Sequence, residues 1–411
     1  MRNWMMVAAF AGLVILGSAA LFTGPRASAQ EAGKKQLTAG KNAKELSKAN
    51  NEFGFDVLKQ LHKEGKNTFI SPTSIGMCLQ MTGRGARGDT LKEMNDTMHV
   101  GKLNVGKCNS ELLSAFGLHN DLKLNLANSV WVNPNQITLN RDFADGVQKQ
   151  FDAQIETREF NAETLNEING WVADRTNQKI PKLLTDLSPD AAAVLINAVY
   201  FKGDWTQKFD KEKTKEADFT LSDGSTRKVQ LMSSKSDYYY AETADAQWIS
   251  LDYGKDKSMR MWVMLPKPDK SLDSLVKTLD SSNFKAATER CWEKEGTIKL
   301  PRLKMKFRKE IQDDLADMGM KKPFTAAADF SAFVGDEHSK LFISKVIHEA
   351  VIEVNEEGTE AAAATAVVME KGAPARPFSM ICDRPFLLAI EDVMSGSILF
   401  AGTVYDPGDG K

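Results

Sequence analysis

The chain has 411 residues, of which 42% are apolar and 26% are charged, with a formal net charge of −2 and four cysteines. This composition excludes a disordered chain and a disulfide scaffold, and the near-neutral charge gives no general attraction for nucleic acid. The length favours two or three domains at about 150 residues each, and it allows a large core without metals or disulfides. Function must therefore come from local features.

The N-terminus has the order of a secretory signal peptide. Arg2 precedes an apolar run at 7–22, and a polar stretch then leads to Ala-Ser-Ala at 27–29. We predict cleavage after Ala29, so that residues 1–29 are removed and the protein is secreted, periplasmic or extracellular, free of the membrane. An uncleaved anchor is the alternative, because the apolar run approaches the length of a membrane span.

Beyond the signal, small and polar residues at 30–44 predict a disordered lead-in, and no linker interrupts 45–411. Helical periods occur at 45–62, 89–98, 141–151 and 165–178, and strand-like runs at 190–201, 248–253, 259–265, 341–354, 386–391 and 397–404. The absence of strict strand–helix alternation predicts an α+β fold.

Four cysteines need an interpretation in an exported protein. Cys78 lies in an apolar run and is expected to be buried as a small hydrophobic residue. Cys108, Cys291 and Cys382 are far apart, without metal-ligand spacing. One disulfide is compatible with this pattern, and its pairing stays open.

Enzyme signatures are missing: the sequence has no nucleophile elbow, zinc-protease helix, Cys-x-x-Cys or phosphate-binding P-loop. We therefore predict no catalytic residue, no cofactor and no metal. The segment 83–88 does match Gly-x-Gly-x-x-Gly, but that motif needs a preceding strand. Ser71-Pro72 instead predicts a capped helix before it, so a loop between two helices is favoured.

A basic segment at 302–309 alternates charged with apolar residues, which places Leu303, Met305 and Phe307 on one face of a strand. A half-buried strand with a solvated basic face is the favoured interpretation. Polyanion binding is the alternative.

The most unusual segment follows a strand near 346–354. Gly358 allows the backbone to change direction. Beyond it, alternation gives one uncharged face and one face with two glutamates; the uncharged face consists of Thr359, Ala361, Ala363, Thr365, Val367 and Met369. Alanine is a poor strand former, and 372–377 has the composition of a loop. The segment suits a loop in one state and a strand in another; an Ala-rich helix or a linker is the alternative.

Five further motifs, at 67–75, 168–180, 195–205, 384–386 and 398–402, together resemble those of the serpin family. The resemblance covers about 50–407 and is closest to secreted, bacterial-like members of the inhibitory type. It implies a single α+β domain with three β-sheets, about eight or nine helices, an exposed reactive-centre loop and a metastable native state.

The resemblance also implies a mechanism and a set of loop residues. The hinge pattern of inhibitory members matches at Glu356, Glu357, Gly358, Thr359, Ala361, Ala362, Ala363 and Ala364. A target serine protease, or alternatively a cysteine protease, would cleave the loop and form an acyl-enzyme with a monomeric inhibitor. The cut loop, from Thr359 to Gly372, would then insert as a new central strand and trap the protease in this covalent complex. Family spacing places the reactive bond at Gly372-Ala373, with Lys371-Gly372 as the alternative. A small residue at this position suits elastase-like or subtilisin-like enzymes, whereas lysine suits a trypsin-like enzyme. A non-inhibitory serpin that acts as a binding or chaperone module is the alternative function.

The resemblance to the family also implies roles for residues outside the loop. The family's shutter, a hydrogen-bond cluster under the central sheet, matches Ser71, Ser74, Asn197 and His348. Trp205 matches the tryptophan of the family's breach, the place where insertion of the loop begins. Arg302 replaces a lysine of the family and is expected to pair with Glu356. The family's heparin site falls near 90–107, where only Lys92, Lys102 and Lys107 are lysines or arginines. This segment gives little support for heparin activation, and the question of a polyanion cofactor stays open.

Overall fold

The computed structural model describes residues 38–119, 121–335, 341–359 and 377–408. The signal peptide, the alanines at 361–364 and the bonds on either side of Gly372 lie outside these ranges. The described residues form nine α-helices: α1 (Lys41–Leu61), α2 (Pro72–Gly83), α3 (Gly88–Thr97), α4 (Val105–Phe116), α5 (Arg141–Phe151), α6 (Ala162–Arg175), α7 (Leu272–Thr278), α8 (Ser281–Thr288) and α9 (Gln312–Asp317).

Fifteen strands lie within the same residues: β1 (Thr68–Ile70), β2 (Lys123–Val132), β3 (Ala153–Thr157), β4 (Ala193–Asp204), β5 (Lys215–Thr220), β6 (Thr226–Glu242), β7 (Ala246–Tyr253), β8 (Met259–Pro266), β9 (Trp292–Pro301), β10 (Leu303–Glu310), β11 (Ile347–Val354), β12 (Gly358–Thr359), β13 (Phe378–Ile381), β14 (Phe386–Asp392) and β15 (Ser397–Val404). They form three sheets. The largest runs β1-β15-β14-β8-β7-β6-β9-β13 with β5 beside β6, the second is β12-β4-β2-β3, and the third is the pair β10-β11. This mixed architecture confirms the predicted α+β fold with three sheets.

Helix starts follow the local chemistry of the sequence. The Ser71 side chain accepts a hydrogen bond from the Ser74 amide at 3.3 Å, and Pro72 occupies the first turn of α2. Serine before proline is a strong helix start because the cap satisfies one free N–H and proline needs none. The Gly-rich match at 83–88 therefore follows a helix and connects α2 to α3, as expected from its context.

Two boundaries differ from expectation. The predicted lead-in to residue 44 is wrong in its last part, because α1 begins at Lys41 and Ala43 is fully buried. Composition alone predicts disorder for a segment of small and polar residues. Alanine is nevertheless the best helix former, and its small side chain allows the helix to pack closely against the core. The strand predicted from 341 begins only at Ile347.

The described residues from Thr38 onward form one compact unit. This finding corrects the two or three domains suggested by length. All four cysteines are free, and Cys108 and Cys382 are buried. In the described part of the chain, no helix combines the length and apolar character needed to cross a bilayer.

Candidate functional site

The segment after β11 forms a tight hairpin. The Asn355 amide donates to the Gly358 carbonyl at 3.0 Å, and the Gly358 amide donates back to the Asn355 carbonyl at 3.3 Å. Glu356 and Glu357 therefore occupy the turn, and the Glu357 amide also donates to the Asn355 side chain at 3.0 Å. Asparagine favours such turns because its side chain mimics a backbone acceptor. The chain thus reverses direction just before Thr359.

After the turn, β12 pairs antiparallel with the end of β4. Gly358 lies opposite Asp204, and Thr359 lies opposite Gly203. The pairing continues into the turn, because the Trp205 amide donates to the Glu357 carbonyl at 2.8 Å. The first two residues of the predicted insertion segment are therefore in the sheet next to β4.

Gly358 is required by the space around it. A Cβ at this position would lie 2.1 Å from the Gly203 carbonyl oxygen and 2.7 Å from Cα of Asp204, and the backbone φ is +149°. Only glycine combines this backbone conformation with so close an approach of two strands. The expected role of Gly358 in redirecting the backbone agrees with this geometry.

Thr359 points into the protein interior, where it is only 6% exposed. Its hydroxyl lies 2.9 Å from the hydroxyl of Tyr253, a fully buried residue of β7. Burial raises the pKa of Tyr253, so its phenol stays protonated and available for this hydrogen bond. The predicted uncharged face of the segment thus begins on the core side.

The two turn glutamates are held by separate sets of cations. Glu356 accepts from Nε of Arg302 at 3.0 and 3.1 Å and from its Nη2 at 2.7 Å, so the expected pair is present. Glu357 binds Lys208 at 2.9 Å and Lys211 at 2.7 Å. Burial acts to raise the pKa of Glu356, but hydrogen bonds from Arg302 and from Thr214 outweigh it and leave the pKa lowered. The lysine hydrogen bonds lower the pKa of Glu357.

Trp205 connects the hairpin to the core. Its indole N–H donates to the Asn355 carbonyl at 2.9 Å. Its ring stacks on Tyr253 with centroids 4.3 Å apart and 16° between the planes. The tryptophan expected at the start of insertion therefore contacts both the hairpin and the tyrosine that holds Thr359.

Three of the predicted shutter residues are joined by hydrogen bonds, and the fourth, Asn197, contacts α2. Nε2 of His348 accepts from the Ser71 amide at 3.2 Å, and Ser71 caps α2 through Ser74. Burial lowers the pKa of His348 to about 4, so the imidazole is neutral at physiological pH. Asn197 instead donates to Asn128 of β2 at 2.7 Å. The same amide also donates to Sδ of Met77 in α2 at 3.7 Å. The membership of Asn197 in one hydrogen-bonded cluster with His348 stays a prediction.

No pairing joins β4 to β11 among the described residues; the two strands belong to different sheets. A cavity of about 30 Å³ lies between them beside Thr359, with Val199 on one side and Val351 on the other. The segment after α6 contacts both strands, because Asn177 donates to the Tyr200 hydroxyl at 3.2 Å and Lys179 binds Glu353 at 3.2 Å. The space next to Thr359 is thus bounded by strands on both sides.

The basic strand is engaged with carboxylates. In β10, Leu303 and Met305 are buried, which confirms the predicted alternation. Lys306 and Arg308 both bind the buried Glu349, at 2.7 and 3.1 Å. Lys309 likewise binds Asp314 at 2.7 Å. Because these cations already pair with carboxylates of the protein, the half-buried strand stays the favoured interpretation over polyanion binding.

Comparisons with known proteins agree with this geometry. The family model described as Serpin (serine protease inhibitor) matches residues 48–407. The chain belongs to the serpin family. Iripin-8 of Ixodes ricinus is 34% identical over 383 residues, which cover 87% of this chain and 93% of that protein. The leukocyte elastase inhibitor of Bos taurus is 33% identical over 383 residues, covering 88% of this chain and all of the relative.

Solved serpin structures have the same fold. The crystal structure of tengpin, a thermophilic serpin, in its native state matches with a TM-score of 0.81 at 28% identity, covering 88% of this chain and 94% of tengpin. Family membership and fold are therefore shown both by sequence and by structure.

Sequence reasoning missed several residues of this serpin's site. Tyr253 lies at the end of a strand that was predicted, but nothing in its local pattern indicated a contact with Thr359. Thr214, Lys208 and Lys211 come from an irregular segment between β4 and β5 whose path the sequence does not specify. Asn128 lies in β2, a strand that the hydrophobic pattern did not predict.

Proposed function

We propose that this serpin inhibits serine proteases as a suicide substrate, and that its loop inserts next to β4 after cleavage. The observation that supports this most is the pairing of Gly358 and Thr359 with Asp204 and Gly203. A segment that already pairs at its first two residues can extend the sheet without a new nucleation step.

The pairing also defines what insertion would bury. Extending the same register would place Ala361 opposite Phe201, Ala363 opposite Val199 and Thr365 opposite Asn197. Because side chains alternate, these residues would face the core as Thr359 does. All are small or uncharged, so their burial costs no desolvated charge. The uncharged face of the segment is therefore suited to become a core-facing strand.

The proposed chemistry belongs to the protease. Its serine hydroxyl adds to the carbonyl of Gly372 and gives its proton to the protease's base. The base then passes this proton to the nitrogen of Ala373 as the Gly372–Ala373 bond breaks and the new amine departs. The serpin remains attached through an ester. Insertion of residues 359–372 would then form a strand roughly 46 Å long, at about 3.3 Å per residue, and carry the ester to its far end. Displacement on this scale would distort the protease before water cleaves the ester. The serpin supplies no catalytic group.

The target class follows from the cleaved residue. Glycine at 372 fits enzymes with small or shallow specificity pockets, of the elastase or subtilisin type. The bovine relative is named as an inhibitor of leukocyte elastase, which supports the same class. Cleavage after Lys371 would indicate a trypsin-like target. Because of the predicted N-terminal signal, we propose that the inhibitor meets its protease outside the cytoplasm. The family resemblance implies that it does so as a monomer.

Incubation with pancreatic elastase and, separately, subtilisin tests this function. We expect a band on a denaturing gel at the summed mass of serpin and protease, and a released C-terminal peptide that begins at Ala373 by mass spectrometry. A peptide beginning at Gly372 would move the bond to Lys371. Trypsin and papain serve as the trypsin-like and cysteine-protease comparisons. If all four proteases cleave the loop completely and none forms a covalent band, the result would favour the non-inhibitory alternative.

A further inference from the structure

We propose that Tyr253 is a positioning residue that sets the register in which the loop inserts next to β4. The inference rests on the proposed inhibitory function and adds a residue to its site. The hydroxyls of Tyr253 and Thr359 lie 2.9 Å apart, and both residues are buried. This is a side-chain contact between the insertion segment and the core strand β7.

Register needs such a contact because backbone pairing alone does not define it. Every residue of a strand offers the same N–H and C=O groups, so a slipped strand recovers most of its hydrogen bonds. A slip by one residue would turn Glu360 into the core. A slip by two would place Ala361 at Tyr253 and leave the buried phenol without a partner, which costs free energy. The hydroxyl of Thr359 distinguishes the correct register from both.

Tyr253 is held by residues outside the hinge, as a positioning residue must be. Its ring stacks on Trp205 at 4.3 Å and meets Phe201 edge-on at 5.0 Å. Its backbone lies in the ladder between β7 and β8, opposite Met259. The phenol oxygen therefore occupies a fixed place against which the segment can be aligned.

Amide hydrogen exchange at the hinge tests the contact without any protease. We compare Tyr253→Phe, Thr359→Val and the double variant, and follow the peptide that contains residues 355–359 by mass spectrometry. Loss of one hydrogen bond should speed its exchange by about 5-fold in each single variant. The double variant should be no faster than either single variant, because the two hydroxyls act on each other.

Two further variants make the result specific. Thr359→Ser retains the hydroxyl and should exchange within about twofold of the wild type. Tyr238→Phe is the matched control, because Tyr238 is also buried and donates to Ser234 at 2.8 Å, within β6. Its hinge exchange should not change. Unchanged exchange in Tyr253→Phe, or multiplied effects in the double variant, would overturn the inference.

The second readout is the number of serpin molecules consumed per protease trapped. Insertion in mixed registers is slower, so Tyr253→Phe should raise this number severalfold while Thr359→Ser does not. Altered exchange with no covalent complex in the wild type would contradict the proposed function but support the contact. Wild-type complexes together with unaltered exchange and consumption in Tyr253→Phe would contradict the contact and leave the function standing.

Discussion

Arg302 and Glu356 form a bidentate ion pair at the turn that precedes the insertion segment. Three N–H···O contacts of 2.7 to 3.1 Å join them, and the carboxylate is only 3% exposed. A buried carboxylate with a planar partner is strongly oriented, since the guanidinium fork matches both oxygens. The pair therefore fixes the turn from which the loop departs.

Removing the guanidinium should destabilise the native protein. We expect Arg302→Ala to lower the free energy of unfolding by about 2–3 kcal/mol, because it leaves the Glu356 carboxylate buried with Thr214 as its remaining side-chain partner. Arg302→Lys retains the charge without the fork and should lose about half as much. Denaturant unfolding measures both. Lys92→Ala, which removes the exposed pair with Asp96, should have no measurable effect. Equal stability of all three variants would contradict the account of this pair.

Acid should destabilise the fold through His348. Its pKa of about 4 lies below the ordinary value near 6.5, so the unfolded chain binds a proton that the folded chain excludes in this window. The free energy of unfolding should therefore fall by about 3 kcal/mol as the pH drops from 7 to 4. The lowered pKa values of Glu356 and Glu357 add their loss only below about pH 4.5.

Denaturant unfolding at a series of pH values separates these groups. His348→Gln retains an acceptor for the Ser71 amide and should flatten the profile between pH 6.5 and 4.5. His99→Gln is the control, because His99 is partly exposed and its hydrogen bond with Asp56 raises its pKa. That variant should keep the acid loss. An unchanged slope in His348→Gln would show that the buried imidazole is not the source.

A charge at the first core-facing hinge position should convert the inhibitor into a substrate. Thr359 is 6% exposed, so Thr359→Arg must bury a guanidinium for insertion to begin. We expect at least a tenfold loss of covalent complex on denaturing gels, with cleavage of the loop retained. Glu360→Arg, on the opposite face by alternation, should retain most of the complex. Complex formation by Thr359→Arg at the wild-type rate would refute the proposed burial.

Gly358 should not tolerate a side chain. In Gly358→Ala the new methyl would overlap the Gly203 carbonyl, so β12 must leave β4. Hinge amide exchange should then approach that of an unpaired segment, and trapping should fall. Gly170→Ala is the control, because nothing lies within 4 Å of its Cβ in α6. Alanine there should raise the free energy of unfolding by up to about 1 kcal/mol. Unchanged exchange in Gly358→Ala would contradict the close approach.

The sequence predicted much of the fold where local chemistry and periodicity coincide. The limits of α5 agree with the predicted range because amphipathic period and the Asn140 cap act together there. Those of β15 agree because a mostly apolar run is buried along its whole length. Short or weakly alternating strands such as β3 were missed, since their pairing partners and not their own residues stabilise them.

Site residues could be predicted from the sequence only where they belong to motifs of the family. Glu356, Gly358 and Arg302 lie where the family resemblance implied, and the ion pair is present. The contact of Tyr253 with Thr359 joins residues 106 positions apart, and no local pattern encodes such a pairing. The assignment of Asn197 to the His348 cluster stays a prediction from the resemblance, since its described hydrogen bonds go to Asn128 and to Sδ of Met77. Tertiary geometry decides these contacts.

Thermal unfolding before and after a single cut in the loop tests the insertion of the loop next to β4 most directly. Limited cleavage by a protease that is not trapped leaves the chain intact elsewhere and frees the segment after Thr359. Insertion would add a central strand with its ladder of hydrogen bonds and its core-facing side chains, so the cleaved protein should unfold at least 15 °C higher than the intact one. An unchanged or lower unfolding temperature would contradict insertion, and with it the proposed mechanism of inhibition.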